Sequence, residues 1–487
     1  MTGIDATGPH DLVVVAFARL EAGDAGGALQ LFTERLQQDP GQALCFLGAG
    51  QALEQMGDDA GAQASFRHAI TLSPDLAAAH GALAALAGRR RDWAEARSSG
   101  EAALALDPGQ FPALIALAQL ALSEERWEDA LTRLAPVIGG ERTSPLPRAQ
   151  AHRLAGQALE RLDRPQEAFA QFAASAAIFR NLYAPACAGP EPLAGLDLCR
   201  MLLHGYTAAG PELWRPAGGG LSSPAAGHVF MLGFPRSGTT LLEQVLAGHP
   251  DVVALEERPT LVPAIDAYLD PPRSIDALAA MTDEAAERWR TEYWARVEGC
   301  GAKTDGKLFI DKQPFYGLWL PLIGKLFPEA KIIVARRDPR DVVVSCFRNP
   351  FRMTPVTYEL MDLERGAALY AGMMQITDLC LAEGVNPAFI HRHEDLVDHF
   401  EETLAALCAF LGLRPDPRMA DFSNTAGGRD IRTPSAGQVA RGLNRDGVGA
   451  WRRYAEPLQP VLPILDPIAA RYGYEPCQSL IKRPGRA

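Results

Sequence analysis

The stretch Met231-Leu-Gly-Phe-Pro-Arg-Ser-Gly-Thr-Thr240 decides how the second half of this chain folds. The apolar run leading into it, His228-Val-Phe-Met-Leu232, has the length and composition of a buried parallel strand. Just after it, Leu241-Leu-Glu-Gln-Val-Leu246 restarts with helical character. A strand, a glycine turn and a helix N-terminus make an anion cradle, because free backbone N–H groups and the helix dipole point at one spot. Gly233 and Gly238 have the GxxxxG spacing of a phosphate-binding loop, but Thr239 stands where such a loop carries lysine. Thr240 keeps the hydroxyl position, and the positive charge has moved inside the loop as Arg236. A kinase or nucleoside triphosphatase needs that lysine for the β- and γ-phosphates and the hydroxyl for Mg²⁺. The loop therefore expects a donor with less charge to neutralise at that point.

Three more segments read as strands of the same sheet. Asp251-Val-Val-Ala-Leu255 ends in Glu256-Glu257, and a carboxylate at the carboxyl end of a strand, beside a phosphate cradle, is a candidate general base. Leu308-Phe-Ile-Asp-Lys-Gln-Pro314 is a strand with its exit turn, and Asp311 there leaves a metal-binding reading with Mg²⁺ as the alternative. Lys331-Ile-Ile-Val-Ala-Arg-Arg-Asp-Pro-Arg-Asp-Val-Val-Val-Ser345 is a strand running into a helix. An arginine at that strand's end and a serine eight residues on can converge on one anion. Glu401 to Leu413 reads as an amphipathic core helix ending in glycine.

Gly233-Phe-Pro-Arg-Ser-Gly-Thr-Thr240 resembles the 5′-phosphosulfate loop of sulfotransferases that use 3′-phosphoadenosine-5′-phosphosulfate (PAPS). Leu246-Ala-Gly-His-Pro-Asp-Val-Val-Ala-Leu-Glu-Glu-Arg258 brings the resemblance to the tyrosylprotein sulfotransferase branch, and it extends from about Gly227 to the C-terminus. The resemblance implies that Arg236, Ser237, Gly238, Thr239 and Thr240 hold the 5′ end of the donor, and that Arg337 and Ser345 hold its 3′-phosphate. It also implies Glu257 as catalytic base, Lys312 as the group that stabilises charge on the departing phosphate, and Ser435 as a donor contact. Arg236, Glu257 and Lys312 are thus the catalytic candidates, PAPS is the co-substrate, 3′-phosphoadenosine-5′-phosphate (PAP) is the product, and no metal is expected. Departures from the family pattern are His393 for a customary tyrosine and Ala450 for a lysine that Arg452 or Arg453 would replace. Pro259 also stands where the tyrosine-specific branch has an arginine. His249 reads as a helix end, with a catalytic role as the alternative, and His391 and His393 lack a third ligand for a metal.

The N-terminal third carries a period. Pro40, Pro74 and Pro108 lie 34 residues apart. Twelve residues before them are Ala28, Ala62 and Ala96, and the series continues at Ala130 and, after an insertion, Ala168. Ala16, Gly50, Ala84, Ala118 and Gly156 precede those alanines by another twelve. This is the tetratricopeptide (TPR) pattern, in which paired helices approach at small side chains and the proline ends the second helix. Phe32, Phe66, Leu134 and Phe172 would fill the layer between repeats, while Gly100 breaks that series. Five repeats over residues 10–178, a helical junction and linker over 179–226 and a sulfotransferase domain over 227–487 are expected.

Bulk properties narrow the function. A length of 487 residues, with 47% hydrophobic and 22% charged residues, fits a globular protein of several domains. A net charge of −12 argues against a nucleic-acid or anionic-membrane binder. The N-terminal residues show no secretory pattern and no apolar run reaches membrane-spanning length, so the expected compartment is the cytoplasm. Eight cysteines without CxxC pairs indicate neither zinc nor a redox motif.

The fold class expected is a TPR α-solenoid followed by a P-loop-like α/β domain with a mainly parallel sheet. The function expected is sulfuryl transfer from PAPS to an acceptor hydroxyl, with a protein tyrosine presented by the repeat groove as one acceptor. A glycan or small-molecule alcohol is the other, and an interaction scaffold with an inactive nucleotide fold is a reading from a different class. The repeat array is expected to hold a polypeptide, a protein partner, a second copy of the chain, or only the catalytic domain.

Overall fold

Small residues on a 34-residue spacing let helices meet closely, and the first half of the molecule is built on those meetings. The computed structural model describes residues 9–141, 143–188, 193–218, 223–269, 275–349, 351–422 and 443–477. The chain divides between Phe179 and Arg180 into two compact units.

Among the described residues ten helices, from Pro9–Glu21 to Pro165–Cys187, form five consecutive pairs. Ala28, Ala62, Ala96, Ala130 and Ala168 are all fully buried where helices cross. A methyl group added at Gly50 would lie 2.5 Å from the Phe66 ring, and one at Gly156 equally close to Phe172. Small and aromatic positions are therefore complementary halves of one contact, and a buried phenylalanine there contributes about 2–3 kcal/mol. At Gly100 the gap is filled from the next repeat by Leu117, 2.8 Å from where a Cβ would stand. The second helices of the first three repeats start at Asp24, Asp58 and Asp92, whose carboxylates accept the backbone N–H of Gly27, Gly61 and Glu95 at 2.9, 2.9 and 3.2 Å.

The second unit is a five-stranded sheet in the order β2-β3-β1-β4-β5. Its strands are β1 (Gly227–Gly233), β2 (Val252–Glu256), β3 (Leu308–Lys312), β4 (Lys331–Arg336) and β5 (Ala388–Arg392), and all four pairings are parallel. Helices cover both faces, which is why β1, β3 and β4 each hold a continuous apolar stretch, Val229–Leu232, Leu308–Ile310 and Ile332–Ala335. Val229 and Met231 pack on one face with Leu242, Val245 and Leu246 of the cradle helix (Thr239–Ala247) and with Leu404 and Leu407. Phe230 packs on the other, against Tyr293, Tyr316 and Phe327 with ring centroids 5.6–6.0 Å away. The helix Gly195–Ala208 belongs to this unit, where the Tyr206 hydroxyl donates to the Leu318 carbonyl at 2.9 Å. The register pairs Met231 and Glu256 with Lys312, and Gly233 with Ala335, so the strands finish along one edge. β1 lies at the point where the strand order turns back, the crevice where open α/β sheets bind ligands.

Among the described residues no helix is long and apolar enough to cross a membrane.

Candidate active site

Gly233 ends β1 with its Cα against β4, where an added Cβ would stand 2.5 Å from the Ala335 carbonyl oxygen. Only glycine lets the loop leave the sheet this close to its neighbour. Arg236 has φ +71° and Gly238 φ +94°, two left-handed residues that turn the chain into the cradle helix. Ser237, Thr239 and Thr240 are buried there.

Three segments distant in sequence meet at this loop. The Arg236 Nε donates to Ser345 Oγ at 2.9 Å, and an Arg337 guanidinium nitrogen donates to the Arg236 carbonyl at 3.1 Å. Arg337 also donates to the Gly447 carbonyl. Burial, together with the nearby Arg337 and Arg348 charges, brings Arg236 down to about 10, so it stays protonated at neutral pH. The loop thus concentrates positive charge ready for an anion. Ser435, expected among the donor contacts, lies outside the described residues.

Asp341 was not singled out from sequence, yet it anchors the wall of this site. Its carboxylate accepts the backbone N–H groups of Gly449 and Trp451 at 2.7 and 2.8 Å, and burial pushes it up to about 6. Trp451 stacks under the Arg340 guanidinium at 4.1 Å, and Arg340 is itself held by both oxygens of Asp338. Ala450 opens the short turn Ala450–Tyr454, in which Arg452 curls back on Gly449 and lies 5.3 Å over Trp451.

On the other side of β1, Lys312 is fully buried, and its Nζ lies 2.7 Å from Glu257, 3.3 Å from Glu256 and 3.5 Å from Glu243. Burial alone would lower its pKa, but the three carboxylates outweigh that and raise it above the usual lysine value. Glu257 has φ +45°, and its backbone N–H donates to the Lys312 carbonyl at 2.8 Å. Lysine and glutamate thus grip each other by main chain and side chain. Glu243, fifth residue of the cradle helix, was missed because one carboxylate in a helix reads as a solvated face. Only the tertiary placement of Lys312 shows its purpose.

A cavity of about 410 Å³ opens beside these groups. Arg236, Gly238, Thr239, Thr240 and Glu257 line it together with Phe315, Trp319, Phe351 and Arg352. A larger cavity, about 490 Å³, lies at the opposite ends of the strands, beside Gly227, Leu308 and Lys331. It gathers none of the candidate residues, so size is the poorer guide here.

Asp311 faces away from the cradle. One of its oxygens accepts from Thr260, Tyr293 and Tyr316 at 2.7, 2.9 and 3.2 Å, and burial raises its carboxyl to about 6. Among the described residues no cluster of His, Cys, Asp and Glu is arranged to hold a metal. His249 accepts the Asp251 N–H at 3.0 Å and meets the Arg414 carbonyl at 3.0 Å, an arrangement that closes the turn after the cradle helix. His391 is buried in β5, where desolvation lowers it to about 4. His393 lies against the cradle loop, its Nδ1 only 2.4 Å from where a Cβ on Gly238 would stand.

Comparison with known proteins agrees with this architecture. Residues 228–417 match the model of the sulfotransferase family, and residues 89–151 match that of the tetratricopeptide repeat. An uncharacterized protein of Aquifex aeolicus (strain VF5) is 30% identical over 262 residues, covering 50% of this chain and 33% of that protein. Protein-tyrosine sulfotransferase A of Caenorhabditis elegans is 25% identical over 269 residues, covering 51% of this chain and 67% of that protein. The chain thus spans a third of the first relative and about two thirds of the second. A solved sulfotransferase domain from the curacin biosynthetic pathway overlays with a TM-score of 0.36 at 20% identity, covering 52% of this chain and 99% of that one. Built from helix pairs and an all-parallel sheet with a lysine-free anion loop, the chain carries one stretch that matches the tetratricopeptide-repeat model and another that matches the sulfotransferase family model.

Proposed function

We propose that the second unit transfers the sulfuryl group of PAPS to an acceptor hydroxyl, with the phenol of a polypeptide tyrosine as the acceptor. The observation that carries this reading is the junction of Arg236, Ser345 and Arg337 in one hydrogen-bonded cluster, beside a cavity lined by Arg236 and by Glu257, whose carboxylate is bonded to the buried Lys312. One end of an anionic nucleotide meets the cradle amides with Arg236, Ser237, Thr239 and Thr240. Its 3′-phosphate meets Arg337 and Ser345, a group that ATP lacks.

In the transfer, the acceptor oxygen attacks sulfur and the bond from sulfur to the bridging phosphate oxygen breaks. The bonding electrons leave with the phosphate, and Glu257 accepts the acceptor's proton. The Lys312 ammonium stabilises the charge that grows on the departing oxygen. Positioning and fixed charge supply the acceleration, with no covalent enzyme intermediate.

Two observations support an aromatic acceptor. The cavity beyond Glu257 is walled by Phe315, Trp319 and Phe351, which suit a ring. A relative bears the name protein-tyrosine sulfotransferase. A repeat array offers a groove for a polypeptide carrying that ring. Pro259, where the tyrosine-specific branch has an arginine, keeps a saccharide or small alcohol as the second reading.

Titration calorimetry of the full chain tests the donor assignment. PAP is expected to bind without metal and ATP with Mg²⁺ to bind more weakly, and the reverse order would return the loop to the triphosphatases. Transfer of labelled sulfate from PAPS to tyrosine peptides, oligosaccharides and simple phenols then reads the acceptor. Glu257→Ala is expected to remove transfer, by about 10²–10⁴-fold, while PAP binding persists.

A further inference from the structure

We propose that Glu243 is a positioning residue that keeps Lys312 an ammonium ion at the moment Glu257 takes up the acceptor's proton. The inference rests on the reaction proposed above and concerns a residue that reaction does not name.

Lys312 starts with three carboxylates around a fully buried nitrogen. Glu257 is the nearest, at 2.7 Å, but as the base it becomes a neutral acid during transfer. The closest counter-charge therefore vanishes just as negative charge grows on the departing phosphate oxygen. A buried ammonium with its partner neutralised tends to shed its proton, because desolvation disfavours the charged form. Lys312 then needs a carboxylate outside the proton transfer.

Two remain. Glu256 stands at the end of β2, next to the base in the chain, with its side chain 15% exposed. Glu243 comes from another element, the cradle helix, and is 2% exposed at 3.5 Å from the nitrogen. Water screens the first and hardly reaches the second, so the buried carboxylate acts at the lower local dielectric. In agreement, the charge of Glu243 comes first among the three in raising Lys312, while the nearer Glu257 adds a hydrogen bond to its own charge. The other charged neighbour, Asp311, is turned to the opposite face and occupied by three hydroxyls. Glu243 also sits four residues after Thr239, so the helix that forms the cradle carries the charge that holds the lysine. Donor grip and acid strength are thereby built on one rigid piece.

The test is direct because the chain has only six lysines, so ¹³C-labelled lysine gives a sparse spectrum in which Lys312→Met identifies one resonance. In the full chain, Glu243→Gln is expected to lower the Lys312 pKa by about one unit or more, and Glu256→Gln by clearly less. Glu243→Asp, which keeps the charge, is expected to recover most of the shift. In turnover of PAPS, the alkaline limb of the kcat profile should move to lower pH by the same amount in Glu243→Gln. PAP affinity at pH 6 should stay within about twofold, since Lys312 is charged there in every variant. A Lys312 titration unmoved by Glu243→Gln, or a fall in kcat with the profile in place, overturns the proposal. Lack of any sulfuryl transfer by the unsubstituted chain counts against the reaction instead, and the lysine titration then decides this inference alone.

Discussion

Arg337 donates to two carbonyl oxygens, one on the cradle loop at Arg236 and one at Gly447. A guanidinium presents its donors in a fixed fork, so these bonds aim the rest of it. If that remainder meets a 3′-phosphate, Arg337→Ala should weaken PAP by about 10–100-fold, the range of a charge-assisted bond or two. Adenosine-5′-phosphosulfate, which has no 3′-phosphate, should lose far less. Calorimetry with both ligands checks this, and equal losses would remove the 3′ assignment. At this scale the sequence was legible wherever a motif fixes geometry. Two glycines at GxxxxG spacing marked Arg236 for one anion grip, and an arginine-to-serine step of eight residues paired Arg337 with Ser345 for another; the bonds that join the two grips appear only in the fold. Glu243 and Asp341 carry no such spacing. Their roles depend on Lys312 and on the backbone at Gly449 and Trp451, which come near only once the sheet has formed.

At the scale of elements, β3 carries two neighbouring charges on opposite faces. Both are buried, Lys312 among Glu243, Glu256 and Glu257 and Asp311 among Thr260, Tyr293 and Tyr316. The folded pKa of Asp311, about 6, lies above the ordinary value of 3.8, so folding favours the protonated acid. The stabilisation is therefore complete below about pH 3.8 and is lost as pH rises through 6. Relative to Asp311→Asn, the wild-type chain should lose up to ~3 kcal/mol of stability between pH 4 and pH 7. Urea unfolding of both proteins at the two pH values reads the difference, and parallel curves would contradict it. The repeat helices show the opposite kind of legibility. Their 34-residue period predicted small residues where paired helices meet, but it set Phe66 and Phe172 between repeats, whereas each ring packs on the glycine of its own helix pair, Gly50 and Gly156. The same period runs through the capping residues Asp24, Asp58 and Asp92, a signal present in the sequence and passed over. Gly100 looked like a defect because the side chain that fills its gap, Leu117, comes from the next repeat.

For the whole molecule, the chain forms two compact units that divide after Phe179, one built of helix pairs and the other on a parallel sheet. Scanning calorimetry of the intact chain should resolve two transitions, since separate cores seldom melt as one. PAP at a hundredfold excess over its Kd should stabilise only the sheet unit, by about 2.7 kcal/mol. A single transition, or a shift of both, would show the units to be energetically merged.

The bond from Arg337 to the Arg236 carbonyl ties one anion grip to the main chain of the other. Under the proposed reading these are the two ends of one nucleotide, so removing both arginines should cost less than the sum of the single losses. Each single variant would already unsettle the loop its partner leans on. A ligand missing either anionic end would then forfeit the order of the remaining grip along with its own contact. The cleft would select for the length of its donor as sharply as for its charge.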